Sequence, residues 1–411
     1  MRALAVVSRK TPSSLFLLLL TPFGVSAGYV SVTLAFMLAK AHMPTAAIAG
    51  IVAFSVWPQT WKVFWAPMVD TTLNAKSWYL IGVVLTALSI LALSIAPATI
   101  KNAPVLIGLV IVSSLASTLV SMSSELFMAH GIEDERKGAV SGWSQAGNLG
   151  GGGLGGGAGL YVAQHVSAPW ISGAVLAGLC LVCAVGLLFV DEPQQVARRR
   201  RYIETLKALF VDLLSVVRSR LGLLALVLML LPIGSGGASG LWAAIAGEWH
   251  AGAETVELVN GVLGGLASLI GAVAAGFICD KIDRRWAYCL FGGALAAVAI
   301  AMALLPRSPM VFIVATLAYA LVLGACYAAY SAVVLEAIGK GAAATKFNLM
   351  ASVSNIPISI MIAADGQTHD RYGTNGMLFG EAGLAILAAI AFGVFVRATR
   401  GQAVAPLAEG V

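Results

Sequence analysis

Apolar residues come in long uninterrupted blocks along this chain, and polar residues collect in the short gaps between them. Neither strict alternation nor a one-sided helical stripe describes the blocks. Most run to about 20 residues, the length a helix needs to cross a bilayer. Twelve such spans are predicted, near residues 14–38, 46–69, 77–97, 103–126, 138–163 and 169–190, then 222–246, 255–279, 286–305, 309–336, 344–364 and 376–397. A polar stretch, residues 191–221, separates the first six from the second six. The pattern predicts an all-α polytopic membrane protein: a six-helix bundle over 1–190, a connector over 191–221, a second six-helix bundle over 222–398 and a tail over 399–411.

Composition agrees. Of 411 residues, 59% are hydrophobic and 11% charged, and mean hydropathy is +0.90; soluble domains carry roughly 25% charged residues. No gap between spans is long enough for a soluble catalytic domain, so an enzyme is not expected. The first span is too long for a signal peptide's apolar region and reads as retained. Charge sets the orientation. With the N-terminus inside, only Lys40, Lys101, Arg307 and Arg371 face outward, Lys62 lies within a span, and the other twenty of the 25 Lys and Arg face inward. This asymmetry obeys the positive-inside rule and predicts two cytoplasmic termini. It also accounts for the net charge of +6 without a nucleic-acid partner. In the connector, Tyr202, Leu206, Leu209, Phe210, Leu213, Leu214 and Val217 recur at helical spacing. That predicts an amphipathic helix on the inner leaflet, with Arg198–Arg201 on anionic headgroups.

Two sets of six spans joined by a central loop is the layout of the major facilitator superfamily. The loop "GFICDKIDRR" resembles that superfamily's G-x-x-x-D-[RK]-x-G-[RK]-[RK] motif at Gly276, Asp280, Lys281, Arg284 and Arg285, with Asp283 in place of the usual glycine. A carboxylate and arginines at helix ends can form a charge-assisted latch between helices. A solvated loop placed only by the positive-inside rule is the plainer alternative. Asp70 occupies the corresponding place in the first half. The segment "KVFWAPMVD" is similar to the K-x-x-W-A-P-x-x-D signature of the peptide and acetyl-CoA transporter branch, which includes AmpG-type muropeptide permeases. Lys62, Trp65, Ala66, Pro67 and Asp70 match. Ala344, Thr345, Phe347 and Leu349 resemble the same branch's A-T-x-[FY]-x-L segment, and Glu125 falls at a family acidic position. The Gln-Asp pair expected in the fourth span is absent, with Ser121, Ser123 and Ser124 nearby.

Lys62 is the most informative residue. A charge at mid-membrane costs on the order of 2.5–3.5 kcal/mol on insertion scales. Either it snorkels towards headgroups past Trp61, Trp65 and Pro67, or it faces a central cavity and pairs with Glu125 or an anionic solute. Other in-span polar groups, Tyr29, Gln59, Trp61, Gln145, Asn148, Asn260, Tyr327, Tyr330, Asn348 and Asn355, are candidate pathway residues or interhelical hydrogen-bonding groups. Glu381 reads as a proton site or an interfacial charge, and Glu336 as a charge at an inner helix end. The run "GNLGGGGLGGGAG" lacks the Gly-Lys-Ser/Thr of a phosphate loop; Gly147, Gly151, Gly155 and Gly159 instead present a small-residue face for close helix approach. The five cysteines sit in apolar segments, and the histidines lack metal spacing, so no metal, cofactor or catalytic set is expected.

The resemblance implies a secondary transporter of the bacterial inner membrane, expected as a monomer. It would import a muropeptide-like, siderophore-like or acyl-CoA-like solute; with no ATP-binding motif in the sequence, a proton gradient is the default driving force. An exporter of the same fold and a non-transporting membrane sensor are the alternatives.

Overall fold

The computed structural model describes residues 11–131, 137–168, 170–192, 218–279, 281–338 and 343–399, with four isolated positions between 207 and 214; the side chains of Pro67, Asp70, Thr71, Leu335 and residues 129–131, 137–142, 338 and 343–348 are outside the description. Most of the predicted connector helix, Arg198–Arg201 included, also lies outside it. Every described element is helical, as lipid demands of a chain that must satisfy its own backbone polar groups. The first half contains α1 (Leu15–Lys40), α2 (Thr45–Thr71), α3 (Ala75–Ile95), α4 (Ala103–Gly131), α5 (137–165) and α6 (Trp170–Phe189). The second contains α7 (220–249), α8 (Ala253–Cys279), α9 (Arg284–Leu304), α10 (Pro309–Ile338), and α11 and α12, which share the continuous run Ala343–Ala398 and part at Gly373, where φ is 70°. Eight helical stretches are apolar and long enough to span a membrane, the last of them being this double helix. The remaining spans, α2, α5 and α7, are more polar or are interrupted.

The sharpest interruption is in α7. It is helical from Arg220 to Leu230, stops at Leu231–Pro232, and resumes as short turns from Gly237 to Trp249. Proline lacks an amide hydrogen and disfavours helical geometry in the residue before it. Gly236 then adopts φ +64°, a left-handed conformation open to glycine at little cost.

The glycine face of α5 packs against α1. A Cβ placed on Gly147, Gly151 or Gly155 would fall 2.2, 2.3 or 2.1 Å from the carbonyl oxygens of Leu17, Thr21 and Val25. These are three successive turns of α1, so the two backbones are in van der Waals contact along most of their length. Gly151→Leu is therefore expected to destabilise the first half by about 1–3 kcal/mol through overpacking, read as a lower melting temperature of the detergent-purified protein; an unchanged melting temperature would contradict this packing.

The molecule has a connector face, which carries Asp191, Glu192, the start of α7 and residues 281–283, and an opposite, far face. The halves join along the far face. Asp370 accepts the backbone N–H of Ala46 at 3.0 Å, at the start of α2. The hydroxyl of Ser359 on α11 donates to the carbonyl of Ala53 on α2 at 3.1 Å. Gly366 lies against Ala46 and Ala49, Gly240 of α7 against Val52, and Gly157 of α5 against Gly261 of α8.

Candidate functional site

Lys62 lies in α2, a 27-residue helix, nine residues from its end at Thr71, or roughly 13 Å by helical rise. Its ammonium is 3.6 Å from Glu125 Oε1 on α4, with side-chain exposures of 12% and 30%. Ser121, one turn before Glu125, donates its hydroxyl to the same oxygen at 2.9 Å. Two neutral links hold the same helices in register: Trp65 Nε1 donates to Thr118 Oγ1 at 3.1 Å, and Ser114 Oγ to the carbonyl of Ser55 at 2.5 Å. Serines and threonines are the residues that bind helices together in lipid, and α4 supplies a run of them. A largely buried ion pair with an extra donor on the carboxylate is satisfied as it stands. It can also be rearranged: an incoming anion could take the ammonium from Glu125, leaving the carboxylate free to accept a proton.

The other in-span polar residues are scattered. Trp61 points along a separate exposed face of α2, edge-on to Trp57 at 5.6 Å and stacked on Phe64 at 5.7 Å. Gln59 is half-buried. Tyr29 is buried within the first half and lines a 270 Å³ pocket with Leu93, Ser94 and Trp170, a pocket lined by residues of that half alone. Asn148 donates to Gln145 at 3.5 Å. Asn260 sits in a π-helical turn of α8 with its Oδ1 buried and unpartnered. Tyr327 is half-exposed. Asn355 bonds its own helix at Ala351, and the side chain of Asn348 is outside the described residues.

At the 280–283 loop, Asp280 lies outside the described residues, as does the side chain of Asp70. Gly276 is exposed and lines a 420 Å³ pocket with Phe277 and Arg284. Asp283, where the superfamily pattern has glycine, caps α9 by accepting the N–H groups of Arg285 and Trp286 at 3.0 and 3.4 Å, and it pairs with the Arg285 guanidinium at 2.5 Å. The hydrogen bond from Arg285 holds the Asp283 carboxyl below the usual range despite partial burial. Arg284 reaches across to Glu336 of α10 at 3.6 Å. In this state both arginines are therefore engaged within the second half, one through the residue that replaced the glycine.

Two further acids are deeper than their sequence positions suggest. Asp365, just beyond a predicted span, lies inside α11, and Glu381 of α12 is buried beside Tyr319 of α10. An acid amid "IMIAADG" is the available signal, since an ionisable residue inside a span is a functional candidate by default. The far-face group of Glu248, His369, Asp370 and Thr374 leaves no pattern in the sequence, because its members come from α7, α11 and α12.

Twelve helices in two sets of six describe a multi-pass membrane protein. The chain belongs to the major facilitator superfamily, whose family model matches residues 15–361. No curated protein matches it. Among solved structures, the chain is similar to the xylose transporter XylE from E. coli in a partially occluded inward-open conformation (TM-score 0.71, 14% identity, 95% of this chain and 99% of that one). It is also similar to a mutant of the nucleoside transporter NupG (TM-score 0.70, 12% identity, 93% and 98%). A third similar structure is a POT-family transporter in complex with a thioalcohol-conjugated peptide (TM-score 0.69, 12% identity, 94% and 96%). At these identities the likeness is one of fold.

Proposed function

We propose that this protein imports a polar, anionic solute by alternating access, with the Lys62–Glu125 pair as its solute-responsive centre and a proton gradient as its driving force. The observation that carries the reading is a buried ammonium held by one partially accessible carboxylate. An anionic group on the solute would compete for Lys62, and the released Glu125 would take up a proton, so solute and proton binding would be reciprocally linked. The segment around Lys62 favours the peptide and acetyl-CoA transporter branch, hence a muropeptide-like, siderophore-like or acyl-CoA-like cargo. The Lys/Arg asymmetry favours a bacterial inner-membrane location with cytoplasmic termini, the connector face inward and Arg198–Arg201 on anionic lipid. Halves 1–190 and 222–398 would rock as units about the solute, in a monomer.

The test is counterflow in proteoliposomes against a panel of cell-wall fragments, iron chelates and acyl-CoA compounds. Accumulation of a panel member, faster with an inward proton gradient, supports the reading. Gradient-driven extrusion would mark an exporter. Specific binding of a panel member without flux would mark a sensor.

A further inference from the structure

The geometry points to a proton-binding site in the second half, distinct from Glu125: Asp365 of α11 and Glu381 of α12, buried together against the break in α7 and holding one proton between them. Asp365 is 2% and Glu381 5% exposed. Both touch the same short turn of α7. Glu381 Oε1 accepts the Ala238 N–H at 3.2 Å, and Asp365 Oδ2 lies 2.5 Å from where a Cβ on Gly237 would be. The carboxyls are close enough to interact electrostatically.

Their hydrogen bonding is unequal. Glu381 Oε1 receives the Tyr319 hydroxyl at 2.5 Å as well as the Ala238 amide, which suits an ionised carboxylate. Asp365 Oδ2 and Glu381 Oε2 are buried without a partner. Among the described residues no cation faces them. α10 brings Tyr319 and, two turns on, Cys326; α11 adds His369 one turn from Asp365; α7 adds the buried indole N–H of Trp242; otherwise the nearby segments of α2, α7 and α9 present apolar, hydroxyl and backbone groups. Two buried carboxylates without a cation cannot both stay ionised at tolerable cost. The donors around Glu381 stabilise its charge, so the proton resides with Asp365, while the titration belongs to the pair. A hard cation such as calcium takes about six to eight oxygen ligands, more than the two unpartnered carboxylate oxygens here supply. Glu381 also borders a cavity of about 10 Å³ with Ser235, Pro232, Ile233, Ala299 and Ala385, about the space of one water and a first step for a proton leaving the pair.

The site's position suggests what the proton does. The α7 turns that touch both acids also pack Gly240 on Val52 of α2 and set Trp242 edge-on to Tyr319 at 5.1 Å. With the proton in place the far face is closed, as observed. Its loss puts a second charge against Gly237 and pushes the outer part of α7 from α2. Protonation thus favours the closed far face, the direction an importer driven by inward proton flow requires. The coupling role rests on the transport reading above; the occupancy of the pair by a proton does not.

Infrared spectroscopy of the purified protein tests occupancy without any solute. The wild type is expected to show a buried carboxylic-acid C=O band at neutral pH that disappears on alkaline titration, and Asp365→Asn to lose it while Glu381→Gln keeps it. Absence of the band in the wild type, or an unchanged band in Asp365→Asn, overturns the site. Spin labels on Lys101→Cys and Met310→Cys, with the five native cysteines replaced by alanine, test the coupling. Between neutral and alkaline pH the distance should lengthen in the wild type and stay short in Asp365→Asn. A variant that tracks the wild type, or a response to sodium at fixed pH, overturns proton coupling at this pair even if counterflow succeeds.

Discussion

Lys62→Met is expected to abolish net uptake and weaken solute binding roughly ten- to a hundredfold, the equivalent of losing one charge-assisted hydrogen bond of about 1.5–3 kcal/mol. Methionine has nearly the length and volume of the lysine stem, so packing against α4 is retained. Glu125 keeps the Ser121 hydrogen bond and its partial exposure, and it can protonate once its cation is gone. Removing one member of a buried pair is often strongly destabilising because the other is stranded; here the accessible carboxylate has a way out, and the melting temperature should change little. Glu125→Gln is the complementary change. It should preserve counterflow, which needs the ammonium, and lower accumulation under an imposed pH gradient. Uptake and counterflow on the same proteoliposomes, with and without the gradient, distinguish the two. Wild-type transport by Lys62→Met would mean that the lysine is a structural partner of Glu125 and nothing more.

Lys62 can be singled out from the sequence because charge inside an apolar run is costly and therefore conspicuous, and Glu125 because it falls at a position that is acidic in the family it resembles. The glycine ladder of α5 is legible for a similar reason: four glycines at i+4 spacing describe a flat helix face by themselves, and the flat face needs only a neighbour, which is α1. What stays hidden depends on chain segments far apart in sequence. Asp365 looks like a loop residue because α11 runs on through Gln367 and His369, polar positions that a hydropathy window reads as an end. Tyr319 is one aromatic among many until Glu381 is seen beside it. The break in α7 is foreshadowed by Pro232 and the glycines after it, yet nothing local says that its freed amides face a carboxylate. The exchange of the superfamily's loop glycine for Asp283 is visible, but its consequence, a cap that also engages Arg285, is a matter of geometry.

Asp370→Ala is expected to shift the protein towards an open far face. Asp370 Oδ2 caps the start of α2 from the other half at 3.0 Å, and Pro44, the residue before that helix, supplies no side-chain cap of its own. Losing an N-terminal capping carboxylate costs about 0.5–2 kcal/mol. Because this cap bridges the halves, the cost falls on the closed state alone, a change of roughly 2- to 30-fold in the closed-to-open ratio. The bond belongs to a network. His369 Nδ1 lies 3.5 Å from Asp370 Oδ1 and its Nε2 2.5 Å from Glu248 Oε1, while Glu248 also accepts the Thr374 hydroxyl. Arg307 sits 4.0 Å over the Trp249 ring and donates to Asn375. Burial alone would raise the Glu248 carboxyl, but the bonds from His369 and Thr374 and the nearby charges win, and it titrates below the usual range. A depressed carboxylate contributes its full stabilisation above its ordinary value and loses it as pH falls through the lowered one. Closure through this network should therefore hold at neutral pH and weaken in acid below the ordinary glutamate range. Reaction of Ala49→Cys with a membrane-impermeant maleimide reports the far-face gap, since Ala49 is buried against Gly366. Labelling should be slow at neutral pH, faster at acid pH after correction for thiolate fraction, and faster at neutral pH once Asp370→Ala is added. Equal rates with and without Asp370 would show that the apolar contacts of Gly366 and Gly240 close the far face unaided.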